Sequence, residues 1–305
     1  MSGENCKRNQ VSGVRCQNVP GLKIFFLSLS LIFSGSVSGQ DQKTRIVTSF
    51  YPMYIAVLNI TENIDGISAT NMTRQVSGCL HDYQLTPDDL KTLSGTDIFV
   101  VNGAGMESFL EKVIKSKPDL KIVYASEGID LIKTGNEANP HVWVSVSLHI
   151  RQVKNIAEGL SKYDPKHAGG YRRNADAYVG KLEQMREKIS ASLKDMKKSG
   201  IITFHEAFPY FAKEFGLNIA AVVEREPGSD PDAREMARTI DLIRETNVKV
   251  IFIEPQYSAK SAETIARETG ARLYVLDPVV TGPLSADAYL KIMEKNLETL
   301  KEALK

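Results

Sequence analysis

Two α/β halves joined by one long helix is the architecture that this 305-residue sequence predicts. Three observations predict it: an amphipathic run from Asp164 to Lys198, four short apolar runs on each side of that run, and helix punctuation between them. In the long run, Tyr171, Ala175, Tyr178, Leu182, Met185, Ile189, Leu193 and Met196 recur at spacings of three and four, with mostly charged or amide residues between. That is the period of one helix face. Asp164-Pro165 opens it with a side-chain acceptor and a residue whose fixed φ suits a first turn. At 1.5 Å per residue the helix would span roughly 45–50 Å, more than one small domain needs. Gly169-Gly170 weakens its start, so firm helix is expected from Tyr171.

The strand-like runs of the first half are Ile46–Phe50, a weaker one at Ile67–Met72, Asp97–Val101 and Lys121–Tyr124. Those of the second are Ile201–Phe204, Asn218–Val223, Val248–Ile253 and Arg272–Leu276. Runs this short and apolar on both faces suit parallel sheets covered by helices. Thr86-Pro87-Asp88-Asp89 supplies a cap, a first-turn proline and two acids, and Ser229-Asp230-Pro231-Asp232 repeats the pattern. A further helix opens at Ser258 and closes at Gly270. No repeat of residues relates the halves. The expected division is a leader over 1–39, a first lobe over 40–163, the connecting helix over 164–198 and a second lobe over 199–305.

Composition bounds the function. Hydrophobic content of 42% with 25% charged residues is that of a soluble globular protein. Residues 1–38 carry a net of +3, which leaves −2 for the rest of a chain whose total is +1. No block of like charge asks for nucleic acid as a partner. Ile24 to Val37 follows basic residues and ends among small ones, the layout of a secretory signal cleaved near Ser38 or Gly39. An uncleaved membrane anchor is the alternative. Export to a periplasm or the cell exterior is expected. Of the 3 cysteines, Cys6 and Cys16 fall in the leader, and Cys79 alone has no partner for an internal disulfide.

Ligands of open α/β sheets bind beyond the carboxyl ends of the strands. His81 stands in a loop after the second run, and His141 in the long connection after the fourth. His205 follows the fifth run directly, and Asp277 follows the last. These four, two from each half, lie at the same edge of their sheets. Three imidazoles and a carboxylate are a donor set that tetrahedral Zn²⁺ uses. Each histidine alone is more often a surface or hydrogen-bonding residue than a ligand; three at strand ends of opposing halves are harder to dismiss. His149 and His167 are expected to be solvated, and Cys79 to be a small apolar residue, with a soft fifth donor to the metal as the alternative. Asp82, Glu206 and Asn139 adjoin the four and are candidates to orient them. Trp143, Phe208, Tyr210 and Phe211 read as wall or core aromatics.

An enzyme reading competes with that of a binding protein. His205-Glu206 begins like the helical motif of zinc peptidases, but the fifth position is Pro209. A zinc-dependent hydrolase with Glu206 as base keeps three histidines, yet Asp277 closes the position that its water would need. No catalytic residues are therefore assigned.

The segments His81-Asp82-Tyr83-Gln84-Leu85-Thr86-Pro87, Asn139-Pro140-His141-Val142-Trp143, His205-Glu206-Ala207-Phe208-Pro209-Tyr210-Phe211 and Leu276-Asp277-Pro278 carry a resemblance. They are similar to the signature segments of the metal-specific solute-binding proteins of ABC transporters, nearest the zinc type, from about Arg45 to the C-terminus. The resemblance implies two (β/α)₄ lobes, a single backbone helix, and a metal held in the cleft between the lobes by His81, His141, His205 and Asp277. It implies a periplasmic monomer that passes Zn²⁺ to a permease in the inner membrane, and a metallochaperone is a further implied partner. Manganese-type relatives commonly have glutamate at the third position, so His205 implies zinc over Mn²⁺ or iron. The histidine-rich loop common in zinc-type members is missing, because Ala125–Asn139 contains no histidine. An adhesin or scaffold would need no tight metal. A single helix packed along both lobes resists bending, so a small tilt or loop reordering is the motion expected.

Overall fold

A computed structural model describes residues 43–73, 80, 83–134, 137–194, 196, 200–223, 231–256 and 259–305. The leader, Cys79, His81, Asp82, Ser229, Asp230 and Ser258 lie outside the described residues, and 41–305 form one compact unit. The first half alternates β1 (Thr44–Thr48), α1 (Tyr51–Ile60), β2 (Ile67–Asn71), α2 (Pro87–Ser94), β3 (Ile98–Val101), α3 (Glu111–Ser116) and β4 (Lys121–Tyr124). A two-stranded hairpin, β5 (Lys133–Thr134) and β6 (Glu137–Ala138), precedes α4 (Val146–Tyr163) and α5 (Ala168–Leu193). The second half alternates β7 (Gly200–Thr203), α6 (Pro209–Phe215), β8 (Asn218–Val222), α7 (Ala233–Thr246), β9 (Val250–Ile253), α8 (Lys260–Thr269) and β10 (Arg272–Val275), and ends in α9 (Ala288–Ala303).

Each half holds a four-stranded parallel sheet, in the orders β2-β1-β3-β4 and β10-β9-β7-β8. Read from the first strand of each half, both orders run second, first, third, fourth. The halves therefore share one topology although their residues show no repeat. Such an order places a switch point between the first and third strands, where the connections leave in opposite directions. In the second half this point lies between β7 and β9, and His205 follows β7.

Caps form at α2 and α7, whereas Asp164, expected to open the long helix as a cap, makes no capping bond and pairs with the His167 ring and the Tyr171 hydroxyl instead. The Thr86 hydroxyl accepts from the Asp89 N–H, and Asp89 reaches back to the Thr86 N–H, a reciprocal box that Asp232 and Glu235 repeat on α7. Gly270 ends α8 at φ +68, a left-handed position that costs glycine nothing.

The long helix is a 26-residue run, about 39 Å of helix, entered through a 3₁₀ turn at Pro165–His167. It begins three residues before Tyr171 and includes both glycines. A Cβ on Gly170 would lie 2.8 Å from Ile64 Cδ1, so glycine there lets the helix approach the first half closely. The predicted stripe faces inward, with Tyr171, Ala175, Tyr178, Leu182, Ile189 and Leu193 buried. It packs against α4 and α1 of the first half and α9 and α6 of the second. No helix among the described residues is long and apolar enough to cross a membrane.

Candidate metal centre

His205 lies two residues beyond β7 and Asp277 two residues beyond β10, both at carboxyl ends of the second sheet. His141 starts the 3₁₀ turn Val142–Val144 that leads into α4. The chain thus carries His141 from the first half to the edge of the second. His141 is 1% exposed and His205 2%. Their Nε2 atoms lie 3.1 Å apart and their rings meet edge to face. Two imidazole nitrogens on one tetrahedral zinc, each about 2.0 Å from it, would stand about 3.3 Å apart. The observed 3.1 Å is close to that spacing and is also the length of an ordinary imidazole N–H···N hydrogen bond.

The pair is held from behind. Asn139 Oδ1 lies 3.0 Å from both the main-chain N and Nδ1 of His141, while its Nδ2 donates to the Glu206 carbonyl at 2.8 Å. The Tyr210 hydroxyl donates to the Asn139 carbonyl, and Asn102 Nδ2 to that of Pro140. Trp143, fully buried against the His141 ring, donates its indole N–H to the Pro278 carbonyl at 2.7 Å. Tyr289 of α9 donates to the Trp143 carbonyl. Glu214 of α6 accepts from both the Ser145 and Ser147 hydroxyls and from the Ser147 N–H, covering the start of α4.

Asp277 is fixed through its main chain, which exchanges two hydrogen bonds with the Asn296 amide. Its Oδ1 accepts from the Val279 N–H, and Val279 sits at φ +61, a strained conformation for a β-branched residue. Strain of this kind persists only where the surroundings over-determine it. Burial raises the Asp277 carboxyl above its ordinary pKa, with the Val279 N–H and Lys295 opposing. Burial, and then the Asp277 charge, push the Tyr51 hydroxyl up to about 12.

His81, the fourth predicted ligand, lies outside the described residues. Among the described residues no three His, Cys, Asp or Glu side chains gather in a metal-holding group. The described centre is therefore the His141–His205 pair, with Asp277 on the segment bonded to Trp143. Glu206, weighed as a hydrolytic base, contributes its main-chain carbonyl to the Asn139 bond.

Two expectations need correction. His149 is not solvated but fully buried, stacked on Tyr289 at 4.2 Å between ring centroids. Burial lowers its pKa to about 4. His167 is largely covered and bonds Asp164 at 2.7 Å. The sequence reading also missed Glu214, Asn296 and Tyr289, because their partners stand 19 to 146 positions away.

Comparison with known proteins gives the family and the fold. The model of the family described as zinc-uptake complex component A, periplasmic, matches residues 46–303. The high-affinity zinc uptake system protein ZnuA of Bacillus subtilis is 32% identical over 293 residues, covering 88% of this chain and 90% of the relative. Among solved structures, the SBP FpvC of Pseudomonas aeruginosa in complex with Mn²⁺ superposes with a TM-score of 0.79 at 34% identity, covering 86% of this chain and 98% of that one. A crystal structure of ZnuA superposes with a TM-score of 0.76 at 28% identity over 86% and 100% of the two chains. The chain belongs to the zinc-uptake complex component A family of periplasmic proteins.

Proposed function

We propose that this protein captures Zn²⁺ outside the cytoplasm and delivers it to an ABC-type importer whose permease lies in the inner membrane. The observation that carries the reading is the buried His141–His205 pair, with Nε2 atoms 3.1 Å apart at a sheet switch point. His81 and Asp277 complete the donor set. The first two imidazoles and the carboxylate come from elements of both halves, so metal occupancy is coupled to how the lobes at 40–163 and 199–305 sit on the helix between them. The permease distinguishes loaded from empty protein by that difference. Zinc is cargo here, and no catalytic step is assigned to Glu206. The leader at 1–39 directs export to the periplasm, and the protein works as a monomer that a metallochaperone can load.

One observation favours a second reading: FpvC, similar in fold and sequence, was captured with Mn²⁺. Imidazole in place of carboxylate at His205 argues for zinc. Elemental analysis of the purified protein followed by Zn²⁺/Mn²⁺ competition separates the two. One zinc per chain, retained against excess manganese, supports the proposal. Preferential manganese binding, or no tight metal, overturns it.

A further inference from the structure

One side chain bonds His141 at one end and, at the other, the residue that follows His205 in the chain. Asn139 is 5% exposed, and all of its polar groups are engaged. Its main-chain N–H donates to the Ile132 carbonyl at 2.8 Å, and its carbonyl accepts from the Tyr210 hydroxyl at 2.7 Å. Tyr210 in turn accepts from the Ile132 N–H. The backbone of residue 139 is thereby held, and the side-chain amide bonds one residue at each end. One end faces the His141 N–H and Nδ1, and the other faces the carbonyl of Glu206, next to His205 in the chain.

The partners settle which end is oxygen. A main-chain N–H can only donate, so the atom facing His141 is Oδ1, and the atom facing the Glu206 carbonyl must be the donor Nδ2. With Oδ1 already an acceptor, His141 Nδ1 must carry its proton. Its Nε2 then presents a lone pair, and that is the atom 3.1 Å from His205 Nε2. The amide orientation cannot reverse without setting two donors against each other and two acceptors against each other.

We propose that Asn139 is the positioning residue of the metal site, imposing the Nδ1–H tautomer on His141 and tying the His141 segment to the His205 segment of the other half. This rests on the zinc site proposed above and adds to it a residue that does not touch the metal. Such outer partners fix ring orientation and are worth 10–100-fold in metal affinity. Because the same amide bonds both segments, its loss disturbs the tautomer and the spacing together.

The test reads the histidine nitrogens by ¹⁵N NMR in the metal-free chain, with the His141 signals identified by their loss in His141→Ala, alongside zinc affinity from chelator competition. The unsubstituted chain is expected to show His141 protonated at Nδ1. Asn139→Ala is expected to give mixed tautomers and about 10–100-fold weaker zinc binding. Asn139→Asp keeps an acceptor toward Nδ1 and loses the donor toward Glu206. It is expected to restore the tautomer and to bind zinc more tightly than Asn139→Ala. A dominant Nε2–H tautomer in the unsubstituted chain or in Asn139→Asp overturns the proposal, and the first of these needs no substitution at residue 139. Unchanged affinity and tautomer in Asn139→Ala also overturns it, provided that His141→Ala abolishes binding. Unchanged binding in His141→Ala refutes the zinc site itself.

Discussion

His141 and His149 stand eight residues apart on one stretch of chain, both effectively inaccessible to water, and the structure uses them oppositely. His141 has its Nδ1 against the Asn139 amide and aims Nε2 at a second imidazole. His149 lies flat on Tyr289, edge-on to Tyr178, with Nδ1 near Gln152 Oε1 at 3.3 Å. Gln152 passes on to Asn102 and Ser126. On the proposed assignment, burial therefore does not distinguish a ligand histidine from a packing one. What separates them is the second nitrogen: that of His141 faces another imidazole nitrogen at 3.1 Å, while that of His149 is buried with no hydrogen-bond partner among the described residues.

The sharpest way to break this contrast is to truncate each ring. His141→Ala and His205→Ala are expected to lower zinc affinity by more than the 10–100-fold of an outer-partner loss, with the far-ultraviolet spectrum unchanged. His149→Phe keeps a ring against Tyr289 and is expected to leave zinc affinity within threefold, an order-of-magnitude allowance of about 0.7 kcal/mol. Competition titration measures all three. Equal losses in the two classes would erase the distinction.

The second test is of stability. Glu214→Ala strips an acceptor from two hydroxyls and one N–H at the start of α4. A loss of about 1–3 kcal/mol is expected in chemical denaturation. A third prediction uses pH. His149 is held near pKa 4 in the folded chain, against 6.5 as the ordinary value. The unfolded chain therefore takes up a proton first as pH falls, and stability present above pH 6.5 is lost toward pH 4. Relative to His149→Phe, the metal-free unsubstituted chain should lose about 2 kcal/mol between pH 7 and pH 5. Parallel denaturation curves for the two chains at both pH values would contradict it. The smallest effect is expected at His167→Ala, which removes one bond from the largely buried Asp164 while the Tyr171 hydroxyl still donates to it. It should cost about 1 kcal/mol and leave zinc binding untouched.

Much of this was legible in the residues. Lys121–Tyr124 matches its strand end for end, and the other predicted strands differ by a residue or two at their ends. Short apolar runs bounded by caps leave little choice. The shared strand order was not legible, because it is a property of connections rather than of residue identities. The β5–β6 hairpin was missed because two-residue strands carry no period. The burial of His149 was legible and misread. Val146, His149, Ile150, Val153, Ile156, Ala157 and Leu160 are one helical stripe, and all of them are buried. A polar residue inside such a stripe is buried with it. Asn139 could be singled out by its place two residues before His141, but its bond to Glu206 spans 67 positions. Chain distance of that order hides a partner from any local pattern.

X-ray absorption at the zinc edge, on protein loaded with one equivalent, tests the central claim most directly. The account predicts a first shell of nitrogen and oxygen at about 2.0 Å with outer-shell scattering from imidazole rings, and a change in that scattering in His205→Ala. A sulfur neighbour at about 2.3 Å, which would bring in Cys79, or a shell without imidazole, would contradict it.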